Sequence, residues 1–145
     1  MAVPMLGRCE SLTQAEVDAV VLKFQAAYAD TFDRRDAKGM GELMTENSTL
    51  QNEWGGVTQG REKIVALVAG LMSHLPEGTK LEDTALVSQL VSPQVIVSQG
   101  ISHRITPGKD PVEMYFSRVL VLQDGQWKLA ATQIARPSSF PKPTN

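Results

Sequence analysis

Three helix-period stretches followed by a run of strand-period segments predict an α+β domain. Two punctuation marks support that order. Thr13-Gln-Ala-Glu16 has the pattern of a capping box at the head of the first helix. Asp124-Gly125 lies between two apolar runs near the C-terminal end, the strongest short-range signal for a β-hairpin. The expected architecture is a curved antiparallel sheet folding around the three N-terminal helices. Such a sheet leaves a cavity between the layers, and cavity mouths of this kind are frequent ligand sites.

The first helix follows from Val17, Val20, Val21, Phe24, Ala27, Tyr28, Thr31 and Phe32, which recur at helical spacing and end near Arg34. Asp36 is placed to cap a second, shorter helix with Met40, Leu43 and Met44 inward. Gly39 and Gly41 each weaken it by roughly 1 kcal/mol relative to Ala, so it depends on packing. Residues 48–54 read as a short strand with Leu50, Asn52 and Trp54 on one face and Thr49, Gln51 and Glu53 on the other. Gly55-Gly56 turns the chain, and Gly60 leads into a third helix over residues 61–74, stopped by Pro76. Its inward stripe is Ile64, Leu67, Val68, Leu71 and Met72. Strands are expected over 84–91, 94–105, 112–122 and 126–136, separated by Ser92-Pro93, Thr106-Pro107-Gly108 and the hairpin turn.

A two-residue Asp124-Gly125 loop fixes a register. Leu122 faces Trp127, Leu120 faces Leu129, Arg118 faces Ala131, Phe116 faces Gln133 and Met114 faces Ala135. These pairs share one face, apolar except for Arg118 and Gln133, and that face is expected inward. Buried groups of that kind must be paired or must line a cavity. Arg118 is expected to reach the pocket, to contact neutral acceptors, water or ligand, and to tolerate replacement by Met. The other face carries Val119, Val121, Ala130 and Ile134, too apolar for solvent, and ends in a Glu113–Arg136 pair. Its burial against a second copy predicts a homodimer through the sheet.

The chain has 145 residues, 42% of them hydrophobic and 21% charged, which suits one domain with a real core. Residues 1–12 are expected to form a loose arm, residues 13–137 a single domain, and residues 138–145 a Pro-rich tail. A net charge of −2 gives no electrostatic reason to expect nucleic acid or an anionic membrane. No stretch is long and apolar enough to span a bilayer. The single cysteine, Cys9, cannot form an intrachain disulfide, and the N-terminal residues lack a signal-peptide pattern. A cytoplasmic enzyme or binding domain is the expectation.

Several motifs bear on chemistry. Gly55 to Glu62 superficially matches a phosphate-binding loop, but Arg61 replaces the lysine and Glu62 occupies the hydroxyl position, where it would repel phosphate. His74 and His103 are isolated, so no metal is implied, and no cofactor is expected. On the segment 94–105, His103 shares a face with Val95, Val97, Gln99, Ile101 and Ile105, the more apolar one. It is either a hydrogen-bonded core histidine or a pocket acid/base. Tyr28 has a ring that packs and a hydroxyl that needs a partner. Taken together, Tyr28, Asn52, Trp54, His103, Arg118 and Gln133 are more inward polar or amphipathic groups than a plain core calls for.

The order AAYADTFDRRDAKGMGELMTENSTLQNEWGGVTQGREKIVALV, then FSRVLVLQDGQWKLAATQIARP, resembles the nuclear transport factor 2-like superfamily, in particular its SnoaL-like small-protein branch. The resemblance covers residues 17–137. It implies a cone-shaped sheet around three helices, an internal pocket and frequent dimerisation through the sheet. Family enzymes include ketosteroid isomerases, polyketide cyclases, scytalone dehydratase and limonene epoxide hydrolase. Tyr28 matches the helix-one tyrosine of the isomerases, but their base position falls on or beside Asn52, which carries no proton-accepting carboxylate. The epoxide hydrolase pattern needs an acid on the last strand, and residues 126–136 contain none.

The leading reading is a small-molecule pocket protein, with isomerase, cyclase or lyase chemistry on an apolar or polycyclic metabolite if it is an enzyme. His103 would carry the proton while Tyr28 and Arg118 stabilise an oxyanion. Asn52, Trp54, Phe116 and Gln133 would contact the ligand. The alternative is a non-catalytic ligand-binding or protein-association domain.

Overall fold

The computed structural model describes residues 11–138. The expected arm and tail, apart from Ser11, Leu12 and Ser138, lie outside the described residues, as does Cys9. Helix α1 spans Gln14–Asp33. Its capping box forms as the sequence predicts: Glu16 N–H donates to Thr13 Oγ1 at 3.2 Å, and Thr13 N–H donates to Glu16 Oε1 at 3.3 Å. Val17, Val21, Phe24, Tyr28 and Phe32 form its buried stripe.

Asp36 caps α2, Ala37–Glu42, through the Gly39 N–H at 2.8 Å. Between the helices Arg35 takes a positive φ of 59°. Its guanidinium donates to the carbonyls of Phe32, Thr79 and Pro76 at 3.0–3.1 Å, tying the α1–α2 corner to the turn after the third helix. Helix α2 is shorter than expected, and Met44 opens strand β1, Met44–Gln51, instead. Strand β2, Val57–Gln59, precedes helix α3, Arg61–His74, whose bounds match the reading from Gly60 and Pro76. Strands β3 (Lys80–Ser92), β4 (Val95–Ile105), β5 (Val112–Gln123) and β6 (Gln126–Ala135) complete the described chain.

The six strands form one sheet in the order β2-β1-β6-β5-β4-β3. It is mixed, not purely antiparallel as expected: β1 runs parallel to β6, and every other neighbouring pair is antiparallel. A parallel pairing needs a long connection, and the whole stretch from β2 to β5 supplies it. The buried stripe of α1 meets Ile64, Val68 and Met72 of α3 and the inward residues Leu50, Leu81, Ile96, Leu120 and Leu129 in one core.

Two strand faces depart from the sequence reading. Asp124 and Gly125 have φ of 50° and 75°, the turn geometry predicted, and the β5–β6 register holds from Gln123↔Gln126 to Leu120↔Leu129. A bulge then shifts the pairing, so that Val119 faces Ala131 and Arg118 faces Thr132. One extra residue in a strand exchanges its faces beyond that point. Thr132 and Ile134 therefore turn inward, while Gln133 is exposed.

On β4 the inward set is Ile96, Ser98, Gly100 and Ser102, not Val95 through Ile105. The reason is space. A Cβ on Gly100 would lie 2.7 Å from Phe116 Cζ and would also strike the Thr84 carbonyl, so the layer against β5 accepts only small residues there. His103 accordingly lies on the outer face.

Candidate functional site

A cavity of about 280 Å³ opens between the helices and the inward face of the sheet. Phe32 and Met40 wall it from α1 and α2, Val68 from α3, and Leu50, Leu81 and Met114 from the sheet. Leu67 and Leu71 of α3, expected inward, form a half-exposed rim at 44% and 47%. Trp54, 80% exposed, stands at the same mouth.

Tyr28, Phe116 and Arg118 meet in its lining. All three are buried, and the Arg118 guanidinium lies between the two rings, 4.6 Å from the Tyr28 centroid and 4.1 Å from that of Phe116. Behind it stands Asp83 of β3, which accepts from Arg118 Nη1 at 2.7 Å. This replaces the expectation that Arg118 meets only neutral acceptors, water or ligand. Asp83 does not line the cavity; it borders a separate groove between α1 and β3. Arg118 Nε and Asp83 Oδ1 have no hydrogen-bond partner among the described residues.

Burial pushes the Tyr28 hydroxyl above the ordinary tyrosine range; Arg118 pulls it down and Asp83 pushes it up, both more weakly. The phenol therefore stays protonated at neutral pH. It is a hydrogen-bond donor in the lining of an apolar cavity, beside a cation whose charge is already balanced.

The β1 strand ends at Gln51 because Asn52 Oδ1 accepts from the N–H groups of Trp54 and Gly56 at 3.1 and 2.9 Å. The Asn52 side chain lines the cavity, but its carbonyl oxygen is committed to that turn. The turn also brings Glu53 to the cavity, against the expectation from strand alternation. Glu53 Oε1 accepts from Arg136 Nη2 and Nε at 2.9 and 3.2 Å, and Arg136 lies 5.7 Å from the Trp54 ring. The predicted Glu113–Arg136 pair is replaced by this one.

Two predicted site residues are not in the cavity. His103 Nε2 lies 3.3 Å from Glu113 Oε2 on the outer face, and Glu113 Oε1 also accepts from the Tyr115 hydroxyl at 2.8 Å. That hydrogen bond, first among the causes, raises the Tyr115 hydroxyl above its ordinary range. Gln133 is carried out by the bulge. Among the described residues, no group of three His, Cys, Asp or Glu side chains is arranged to hold a metal ion, and no helix is long and apolar enough to cross a membrane.

Residues 25–130 match the family model described as the SnoaL-like domain. The chain belongs to the SnoaL-like family. Solved structures agree on the nuclear transport factor 2-like fold. A domain of unknown function with a cystatin-like fold from Nostoc punctiforme has a TM-score of 0.76 at 19% identity, over 88% of this chain and 81% of that one. A nuclear transport factor 2-like protein of unknown function from Shewanella oneidensis has a TM-score of 0.70 at 15% identity, over 81% and 98%. A proposed scytalone dehydratase from Novosphingobium aromaticivorans gives 0.70 at 14% identity, over 86% and 95%. At such identities the likeness is one of fold. No curated protein matches the sequence significantly.

The SnoaL-like cavity thus gathers Tyr28, Asn52, Trp54, Phe116 and Arg118 from the sequence reading. Sequence reasoning missed Asp83, Ser102, Arg104 and the Glu53–Arg136 pair. Asp83 was legible in principle: once the strand begins at Lys80, the alternation in Lys80-Leu-Glu-Asp83 puts Leu81 and Asp83 on one face.

Proposed function

We propose that this SnoaL-like domain binds a small, mainly apolar molecule that presents a neutral carbonyl or hydroxyl oxygen to the Tyr28 hydroxyl. The observation that carries this reading is the Tyr28 hydroxyl itself. It borders a cavity of apolar walls and has no hydrogen-bond partner among the described residues. The volume of about 280 Å³ suits a ligand at the small end of the usual range. The one-residue register shifts in the β3–β4 and β5–β6 ladders support the strong, cone-like curvature that would enclose it.

Lyase or isomerase chemistry is the second reading. It is supported by the Tyr28–Arg118 pair, which has the composition of an oxyanion-stabilising site. A proton acceptor is then needed, and Glu53 is the carboxylate that borders the cavity. Its pairing with Arg136 weighs toward simple binding. His103 would have no direct part in either.

The working form in this reading is a homodimer in the cytoplasm, paired through the outer face of the sheet. Val95 stands opposite Val121 and Val97 opposite Val119, a half-buried apolar patch on β4 and β5 that supports such pairing.

Thermal shift with α-tetralone and related small ketones, on the wild type and on Val68→Phe, tests the binding reading. Stabilisation that disappears when the cavity is filled is the expected result. No stabilisation by any ketone, or stabilisation retained in Val68→Phe, contradicts it.

A further inference from the structure

Three arginines line the cavity, and they are not equivalent. Arg118 is neutralised by Asp83 at 2.7 Å, and Arg136 by Glu53 at 2.9 Å. Arg104 has no ion pair or side-chain hydrogen bond among the described residues. An unpaired arginine on an outer surface would be ordinary, since water satisfies it. Arg104 is half-buried and borders the cavity with Ser102, on the face of β4 opposite His103. The Ser102 hydroxyl also makes no hydrogen bond among the described residues.

Their place along the sheet matters. Ser98 pairs with Arg118, and Arg104 lies six residues further along β4, opposite Val112. At about 3.3 Å per residue the two arginine backbones are roughly 20 Å apart along the strands. The apolar residues Met114 and Phe116 lie between them on β5. One end of the cavity therefore offers a phenol and a balanced ion pair, suited to a neutral oxygen. The other offers an unbalanced guanidinium beside a hydroxyl, suited to an anion.

We propose that the ligand is an amphipathic organic anion, in the simplest case a monocarboxylate. Arg104 and Ser102 hold its carboxylate at the mouth while its apolar body runs inward and brings the neutral oxygen to Tyr28. This rests on the binding reading above and adds the charge of the ligand. A guanidinium provides two parallel N–H donors to a carboxylate, and a partly dehydrated cavity mouth strengthens the contact relative to open water. A neutral amide of the same shape cannot reproduce it.

Isothermal titration with hydrocinnamate and its neutral amide, at low ionic strength, tests the assignment. The wild type is expected to bind the acid at least tenfold more tightly than the amide. Arg104→Gln should reduce that ratio to within about twofold, chiefly by weakening the acid, and Arg104→Lys should restore part of it. Arg136→Gln, which removes a cation already paired with Glu53, should keep most of the preference. Equal binding of acid and amide by the wild type, or a ratio unchanged in Arg104→Gln, overturns the anion assignment while leaving the cavity reading intact. Binding of neither compound overturns both.

Discussion

Arg118 of β5 and Asp83 of β3 form an ion pair across the intervening strand β4, at 2.7 Å and with side chains only 6% and 1% exposed. Such a pair gains little net stability, because both ions lose their hydration. Its value lies in holding the guanidinium between Tyr28 and Phe116. Removing one partner leaves the other charge buried.

That arrangement reverses the expectation that Arg118→Met is harmless. Either Arg118→Met or Asp83→Leu should destabilise the fold by about 3–5 kcal/mol, and the double variant should recover most of the loss. Urea denaturation of the three variants measures this. Additive losses in the double variant would show that the two residues are not energetically coupled.

The Tyr28 hydroxyl makes a second, pH-dependent prediction. Its folded-state pKa is raised above the unfolded value of 10.0, chiefly by burial. A raised value means that the neutral phenol is favoured in the fold. The contribution is fully present below pH 10.0 and is lost as pH rises through the folded pKa. Melting temperature should therefore fall more steeply above that point in the wild type than in Tyr28→Phe. Parallel profiles would contradict the burial of this hydroxyl.

Gly100 is required by space. Its added Cβ would meet Phe116 and the backbone of β3, and the backbone contact has little freedom to give. Gly100→Ala should cost about 1–3 kcal/mol of stability, read from the denaturation midpoint. Because Phe116 must move, ligand affinity should fall as well.

Association through the outer sheet face predicts a two-chain particle by sedimentation velocity at micromolar concentration. Val119→Asp should convert it to a single chain with unchanged circular dichroism, because Val119 faces away from the core. A single chain in the wild type would contradict the dimer.

Signals confined to one element were legible in the sequence. Thr13 and Glu16 specify the start of α1, Gly60 and Pro76 bracket α3, and Asp124-Gly125 sets the hairpin turn. What failed depends on neighbouring strands. The β5–β6 bulge carries Gln133 outward and Ile134 inward, and nothing in the local alternation announces it. On β4 the apolar face is the outer one, where Val95 and Val97 meet Val121 and Val119. Beyond Ile96 the inner face carries Ser98, Gly100 and Ser102, because Gly100 abuts Phe116 and Ser102 borders the cavity. Hydrophobicity was therefore a misleading guide to direction, and His103 was misplaced with it. Asp83 was lost because the charges of Lys80, Glu82 and Asp83 hid the first turnless residues of a strand.

The most direct test of the account is whether Tyr28 reads an oxygen on the ligand. Calorimetric affinities of α-tetralone and of tetralin, which lacks the carbonyl, are compared in the wild type and in Tyr28→Phe. One neutral hydrogen bond of about 1 kcal/mol predicts roughly fivefold tighter binding of the ketone by the wild type. In Tyr28→Phe the ratio should fall to near unity, with tetralin affinity retained. Equal affinities in the wild type, or a ketone preference that survives the loss of the hydroxyl, would contradict the assignment of Tyr28 as the group that recognises the ligand.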